Sequence, residues 1–302
     1  MNTKRGKMLL VGDNPFHGIS HLSQERARKR ASDTGYAAQS EIVLAAIDCG
    51  AEGFMFSVSD TTLSILRHIR ESEEIERVGL YGIVPYAYEY VRLAAQTGTP
   101  GLARKMVKQM ALSGHFKSVL GGVGAAIRMK PESLLKTYLA YEISRIASSA
   151  GSKAKLNSLL LHEVITDMSL ALNFDWLFRL YISYLSKRHI IPGFNTRNFP
   201  YLVRRFEEWG FDLEEIIIAT QFNKVGFQMN PSREECERVL EGLSSPAVIA
   251  ISVLAAGYLK PPEAAGYLTG LENLRGLAVG ASTMKQARET FSLFNQRLNG
   301  EH

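Results

Sequence analysis

His162 and Glu163 follow three consecutive leucines, residues 159–161, without a break. A short apolar run is typical of a strand buried on both faces, so the next side chains lie where that strand ends. An imidazole there can polarise a carbonyl or carry a proton, and a neighbouring carboxylate can assist it. A hydrogen-bonded histidine of the upper core is the alternative. His162 and Glu163 are therefore candidate catalytic residues.

A second polar cluster, residues 12–21, follows the first apolar run of the chain. It contains Asp13, His17 and His21, and the two histidines are four residues apart. That spacing places two imidazoles on one face of a helix, where they could hold a divalent metal. Gly18 opposes helix here, and capping or solvent-facing histidines are the alternative. The loop adds Asp13 and His17 as catalytic candidates, and His17 with His21 as metal ligands.

A third candidate site is the Gly-, Ala-, Ser- and Thr-rich segment 278–283, which precedes a helical pattern. Small residues allow a ligand to approach the backbone closely. Ser282 or Thr283 can cap the helix, whose first N–H groups and dipole attract an anion. Many turns of this kind bind nothing, so the pattern permits a phosphate site without requiring one.

The elements that must position these residues are eight apolar runs alternating with amphipathic segments. The predicted strands are Met8–Gly12, Gly53–Val58, Gly79–Val84, Leu156–Leu161, Ile190–Gly193, Ile216–Thr220, Val248–Ile251 and Gly276–Val279. This alternation predicts an α/β protein, a single (β/α)₈ TIM barrel over residues 1–302, with an open doubly wound sheet as the alternative. Residues 87–155 are long for one connection and predict a helical or loop insertion over the barrel mouth. Tyr86 precedes that insertion and could enter the mouth.

Composition limits the classes of partner. The 302 residues are 46% hydrophobic and 22% charged, which is typical of a soluble globular protein. A net charge of +5, with acidic and basic residues interleaved, indicates a small-molecule substrate rather than nucleic acid. No apolar stretch reaches the roughly 18 residues that span a membrane. Two cysteines exclude a disulfide framework and fit a reducing cytoplasm. The sequence does not indicate an oligomeric state.

The chain from about residue 156 to 296 resembles the aldo/keto reductase family. Residues 159–162 resemble the strand-four motif that ends in the family's catalytic histidine. Residues 193–196 are similar to the segment after strand five, and residues 221–223 to the strand-six segment whose glutamine faces the nicotinamide. Residues 250–259 resemble the strand-seven run, and 279–283, with Gln286 and Glu289, the phosphate loop after strand eight.

The resemblance implies a barrel that binds an extended nicotinamide dinucleotide, NAD or NADP, across its C-terminal face. The pyrophosphate would lie near strands seven and eight, and the carboxamide near Asn195 or Thr196 and Gln221. The implied cofactor-binding residues are Asn195, Thr196, Gln221, Ser252, Leu254, Gly280, Ser282, Thr283 and Gln286.

The chain departs from the family's catalytic set, in which a tyrosine acid is tuned by a lysine and an aspartate. Residues 55–60 replace the tyrosine-bearing motif, and residues 82–85 contain no lysine, so only His162 of the four remains. Gly280 and Gln286 stand where NADP-specific members have basic residues, which argues against an NADP preference.

Three functions follow from these observations. The first is an aldo/keto reductase-like oxidoreductase with a rebuilt catalytic set around His162, in which Tyr86 is a substitute acid or Asp13 or Glu163 assists the imidazole. The second is a non-catalytic relative that binds a ligand. The third is a metal-assisted hydrolase, lyase or isomerase, which would use His17, His21, His162 and Glu163.

Overall fold

Eight short parallel strands close into a barrel in the computed structural model, which describes residues 6–18, 35–86, 131–245 and 247–300. Each strand pairs with the next in sequence, and the last pairs with the first, so the predicted (β/α)₈ barrel is confirmed. The strands are β1 (Met8–Gly12), β2 (Gly53–Ser57), β3 (Gly79–Val84), β4 (Lys155–Leu161), β5 (Ile191–Asn195), β6 (Ile217–Gln221), β7 (Val248–Ile251) and β8 (Leu274–Val279).

Alternate side chains of the strands fill two separate cores. One set points inward and forms the barrel interior, which includes Leu10, Met55, Leu160, Ala219 and Ala278. The other set points outward and packs beneath the helices. Because both faces of every strand are covered, the strands are apolar throughout rather than alternating with polar residues. Because both faces are buried, each strand appears in the sequence as a short apolar run, and the strands could be predicted from these runs.

Helices form the outer layer. They are α1 (Tyr36–Asp48), α2 (Asp60–Glu71), α3 (Pro131–Ala150), α4 (Glu163–Ala171), α5 (Asp175–Ser186), α6 (Phe199–Glu208), α7 (Arg233–Glu241), α8 (Pro261–Thr269) and α9 (Met284–Asn299). Helix α3 falls within the range 87–155 and packs against α2 and α5, as a helix of the outer layer does. Residues 87–130 lie outside the described residues, so an insertion over the mouth stays a prediction.

Three strands end at a residue other than the predicted one: β2 ends at Ser57, one residue before the predicted Val58, and β5 and β6 end later than predicted. Strands β5 and β6 end at Asn195 and Gln221, one or two residues later than the apolar runs alone indicated. The backbone of Asn195 pairs with Ala219, and that of Gln221 with Ile251. A polar side chain at the barrel rim does not interrupt a ladder that is made by backbone groups. Both amides are therefore held by strands and not by loops.

Two further properties concern residues outside the rim. No helix within the described ranges is long and apolar enough to cross a bilayer. Cys49 and Cys236 are both free thiols. Burial, together with Glu235 and Glu237 nearby, raises the pKa of Cys236 to about 12, so this thiol stays protonated and unreactive at neutral pH.

Candidate functional site

The inward-facing polar side chains of β4, β5 and β6 share one end of the barrel. Side chains two residues apart on a strand point the same way. Gln221 lies two residues beyond the interior residue Ala219, and His162 two beyond the interior Leu160. Both therefore stand at the C-terminal mouth, where barrels collect their catalytic groups.

Asn195 is a buried amide at this rim with an unsatisfied acceptor. A Cβ on Gly193 would lie 2.5 Å from Cγ of the interior Leu160, which shows that Gly193, and hence Asn195, faces inward. Asn195 is 7% exposed, and its Oδ1 has no hydrogen-bond partner among the described residues. A buried acceptor left unpaired costs about 1–3 kcal/mol. An N–H group of a ligand would remove that cost.

Gln221 completes the amide pair, whereas the nearby Asn223 has a different task. Gln221 is 3% exposed, and the Thr220 hydroxyl lies 3.5 Å from its Oε1, at the limit of a hydrogen bond. Asn223 accepts the Phe227 N–H at 2.7 Å and donates to the Phe227 carbonyl at 2.9 Å. Asn223 therefore shapes its own loop, and Gln221 is the amide of this segment that faces the mouth.

His162 caps helix α4 at the junction of β3 and β4. Its backbone N–H donates to the Val84 carbonyl at 2.7 Å, and its Nδ1 accepts the Val164 N–H at 3.3 Å. Burial lowers the pKa of His162; Glu163 opposes this shift and Arg197 adds to it. At neutral pH the ring is therefore uncharged. Because Nδ1 accepts a hydrogen bond, the proton sits on Nε2, which is a donor.

Two other predicted site residues are engaged in contacts away from the barrel axis. Glu163 accepts from Arg197 at 2.7 and 2.9 Å in a half-exposed ion pair. The Thr196 hydroxyl donates to Asp167 of α4 at 2.5 Å, and the Arg197 N–H donates to the same carboxylate at 3.1 Å. Burial raises the pKa of Asp167, and these two hydrogen bonds oppose the shift. Thr196 therefore ties β5 to α4, and Asn195 is the member of this pair that faces the mouth.

Asp13, His17 and Tyr86 form a second group at the ends of β1, β2 and β3. Oδ2 of Asp13 lies 3.0 Å from Nε2 of His17 and accepts the Ser57 backbone N–H at 2.7 Å. The side chains of His17 and Asp13 are 6% and 7% exposed. The His17 ring stacks on Tyr86 with centroids 5.0 Å apart and 27° between the planes. Three predicted catalytic residues are thus in direct contact.

The spacing of Asp13 and His17 is the sequence signal for this pair. The short 3₁₀ turn over Asn14–His17 directs both side chains toward one another, as one helical turn would. The Ser57 N–H had no such signal, because a backbone donor 44 positions away is brought in only by the pairing of β1 with β2.

The loop after β7 has an unusual backbone. Ser252, Ala255 and Ala256 adopt left-handed conformations with φ of 53°, 44° and 61°. Such values are uncommon for residues other than glycine and are often found at functional loops. Leu254 between them is half-buried. The loop carries the predicted contacts Ser252 and Leu254.

The turn after β8 is closed by its own side chains. Thr283 Oγ1 accepts the Gln286 N–H at 3.1 Å, and Gln286 Oε1 accepts the Ser282 N–H at 2.8 Å. The arrangement is similar to a capping box, but the Gln286 side chain accepts from the residue before the N-cap and not from the N-cap itself. A Cβ on Gly280 would lie 2.7 Å from the Pro15 ring, so Gly280 is required here for packing against the β1 loop.

The described residues contain no group of three His, Cys, Asp or Glu side chains that could hold a metal ion. His17 is paired with Asp13, and Glu163 with Arg197. His21 lies outside the described residues. The metal site at His17 and His21 therefore has no support in this part of the chain.

Comparison with known proteins identifies the fold. No protein-family model matches the chain, and no curated protein matches its sequence. Among solved structures, a "putative aldo-keto reductase" of Pseudomonas aeruginosa is similar with a TM-score of 0.57 and 11% identity, over 97% of this chain and 92% of that one. An aldo-keto reductase enzyme from a Medee basin deep-sea metagenome library is similar with a TM-score of 0.50 and 11% identity, over 100% and 94%. The resemblance to aldo/keto reductases is thereby confirmed at the level of the fold.

Proposed function

We propose that this protein is a nicotinamide-dependent oxidoreductase that acts on a small carbonyl compound or the corresponding alcohol. The observation that carries the proposal is the buried Oδ1 of Asn195, which has no hydrogen-bond partner among the described residues, with Gln221 one inward-facing position further along the neighbouring strand β6. A nicotinamide carboxamide has both an N–H₂ donor and a carbonyl acceptor. Asn195 would accept from the first, and the amide of Gln221 has the donor for the second. The residues at the rim therefore fit this group.

When bound, a nicotinamide would supply hydride chemistry at the carbonyl carbon, in either direction. His162 orients the substrate from the neighbouring strand. Its neutral ring donates from Nε2 to the substrate oxygen, which draws negative charge toward that oxygen as the carbon is reduced. Because Val164 holds Nδ1, the ring cannot turn without losing the cap of α4. Its contribution is orientation and polarisation.

The phosphate end would lie at the start of α9. The dipole of this 16-residue helix favours an anion there, while Thr283 already accepts the Gln286 N–H and Gln286 the Ser282 N–H. Lys285 in that turn lies 3.8 Å from Glu289, so part of its charge is offset. Neither Gly280 nor Gln286 carries the positive charge that an ion pair with a 2′-phosphate requires. We therefore expect NADH to bind at least as tightly as NADPH.

Calorimetric titration with NADH and NADPH tests the proposal. We expect the wild-type protein to bind at least one of them with a Kd in the micromolar range. Asn195→Leu should weaken binding about tenfold or more, since losing one hydrogen bond of about 1.4 kcal/mol raises the Kd about tenfold. Asn198→Leu is the matched control, because this exposed asparagine follows in the same loop and makes no side-chain cap.

Urea denaturation of the same variants separates binding from folding. Asn195→Leu removes an unpaired acceptor and should leave the free energy of unfolding unchanged or about 1 kcal/mol higher. Asn223→Leu, which removes two satisfied hydrogen bonds of a buried side chain, should lower it by about 2 kcal/mol. Absence of binding by either dinucleotide to the wild-type protein would contradict the proposed function, as would binding without turnover of any aldehyde or ketone in a broad panel.

A further inference from the structure

The pair Asp13–His17 has the chemistry that the family's missing tyrosine, lysine and aspartate would have supplied. A carboxylate that holds one ring nitrogen of a histidine selects the tautomer and offsets the positive charge of the protonated ring. Here Oδ2 of Asp13 holds Nε2 of His17 at 3.0 Å, and the same oxygen is fixed by the Ser57 N–H at 2.7 Å. Both side chains are more than nine-tenths buried, so water screens the pair weakly.

We infer that His17 is the proton donor and acceptor of this site and that Asp13 is its positioning residue. The inference rests on the proposed function and assigns the acid that His162 cannot provide. His162 is uncharged at neutral pH, because burial lowers its pKa, and it donates only a hydrogen bond. His17 differs because a carboxylate faces it. With Nε2 held by Asp13, the proton is exchanged at Nδ1.

Barrel closure places the two groups on facing arcs of the rim. Asp13 and His17 follow β1, and Asp13 bonds to Ser57 at the end of β2; Asn195 and Gln221 end β5 and β6, half a turn of the barrel away. His162 lies between them, since its N–H bonds to Val84 of β3, two residues before Tyr86. A carbonyl group between the arcs would meet the carboxamide-binding amides on one side and His17 on the other.

A bound reduced nicotinamide would give up a hydride, with loss of its C–H bond, to the carbonyl carbon. As that carbon gains its new C–H bond, the carbon–oxygen π bond breaks and its electron pair moves onto oxygen. That oxygen takes the proton from Nδ1 of the His17 imidazolium, which forms the O–H bond of the alcohol and leaves a neutral ring. One proton from solvent then restores the imidazolium. In alcohol oxidation His17 accepts the proton instead.

Two titratable side chains contact His17 in the described part of the chain, namely Asp13 and Tyr86. Asp13 supplies the negative charge. The stacked phenol of Tyr86 covers one face of the imidazole and limits rotation of the ring. Substitution of Asp13 or His17 should therefore lower turnover, whereas substitution of a surface histidine should not.

Steady-state reduction of an aldehyde panel, measured from pH 5 to 9, tests the inference with Asp13→Asn and His17→Gln. Asparagine can still accept the Ser57 N–H, but it lacks the charge. We expect both variants to lower kcat about 100-fold, with KM and the dinucleotide Kd changed less than about threefold. His68→Gln, in the exposed pair His68–Glu71, is the matched control and should be unchanged.

The ¹⁵N NMR shifts of the His17 ring give a second readout that needs neither cofactor nor turnover. The inference requires the Nε2–H tautomer in the neutral ring of the wild type. An Nδ1–H tautomer would overturn it, as would variants that retain kcat and its pH profile while dinucleotide binding is intact. If neither dinucleotide binds, the proposed function fails while the tautomer of His17 is still measured. The two failures are thus distinguishable.

Discussion

At the scale of the residue, two of the described histidines follow barrel strands and differ in their neighbours. Nδ1 of His162 accepts a helix N–H at 3.3 Å, and burial keeps that ring neutral. His17 has Asp13 at 3.0 Å and an aromatic ring stacked on it. The first environment suits a hydrogen-bond donor, and the second suits a group that gains and loses a proton.

The stability of the protein should depend on pH through His162. Its folded pKa lies below the ordinary value of 6.5, so the unfolded chain binds this proton more readily. The contribution to stability is complete above that value and is lost as pH falls through the folded pKa. Protonation also removes Nδ1 as acceptor for Val164. His162→Asn, which keeps a good cap without the titration, is the comparison.

Urea unfolding of the wild type and of His162→Asn between pH 5 and 8 measures the contribution of His162 to stability. We expect the difference in the free energy of unfolding to be constant above about pH 6.5 and to move in favour of the variant at lower pH. Parallel curves over the whole range would show that the pKa of His162 is not lowered in the folded protein.

At the scale of the element, every helix that follows a strand begins at the rim, where its first N–H groups need acceptors. Ser59, Ser232 and Thr283 supply them for α2, α7 and α9. His162 does the same for α4. Rim side chains therefore divide between capping a helix and facing a ligand, which is why residue type alone does not separate the two roles.

The cap of α9 should be a measurable stabilising contact. Thr283→Ala removes the acceptor for the Gln286 N–H and should lower the free energy of unfolding by about 1 kcal/mol, whereas Thr283→Ser should retain most of it. Thr137→Ala is the control, because that hydroxyl bonds only to the Ser133 carbonyl within α3. We expect its loss to change stability by less than about 0.5 kcal/mol. Equal effects of the two alanine variants in chemical denaturation would contradict the role of the cap.

At the scale of the whole molecule, ring closure requires close backbone approach between particular strands. A Cβ on Gly276 of β8 would overlap the carbonyl oxygen of Met8 on β1. A Cβ on Gly53 of β2 would likewise overlap the carbonyl oxygen of Gly79 on β3. A backbone obstacle cannot rotate away as a side chain can, so these glycines are constrained by the barrel and not by their own conformations.

Gly276→Ala should destabilise the barrel at the β1–β8 junction by about 3 kcal/mol or more. Gly266→Ala is the matched control, since a Cβ there meets nothing within 4 Å inside helix α8. That change should raise the free energy of unfolding by about 0.5–1 kcal/mol, because alanine favours helix. Thermal or urea unfolding of the two variants compares them directly. Similar stability of both would show that β1 and β8 are not closely apposed.

The fold was predictable because double burial makes every barrel strand a short apolar run, as in residues 159–161. The strand ends were predicted less accurately, since the hydrogen-bond ladder of the backbone continues through polar residues such as Asn195 and Gln221. The positions of the candidate site residues at strand ends were predictable from their place after a run. Their partners were not: adjacent in sequence, Asn195 faces the mouth and Thr196 donates to Asp167.

From sequence alone, the order of strands and helices and the chemical types at the rim are already established, because hydrophobic periodicity and residue identity are local properties. Tertiary structure alone decides which of those groups meet. The contact of Asp13 with the Ser57 N–H and the unpaired Oδ1 of Asn195 depend on how a closed ring aligns its strands. Hydrogen bonds act over about 3 Å, so an alignment that differs by one residue would separate these groups.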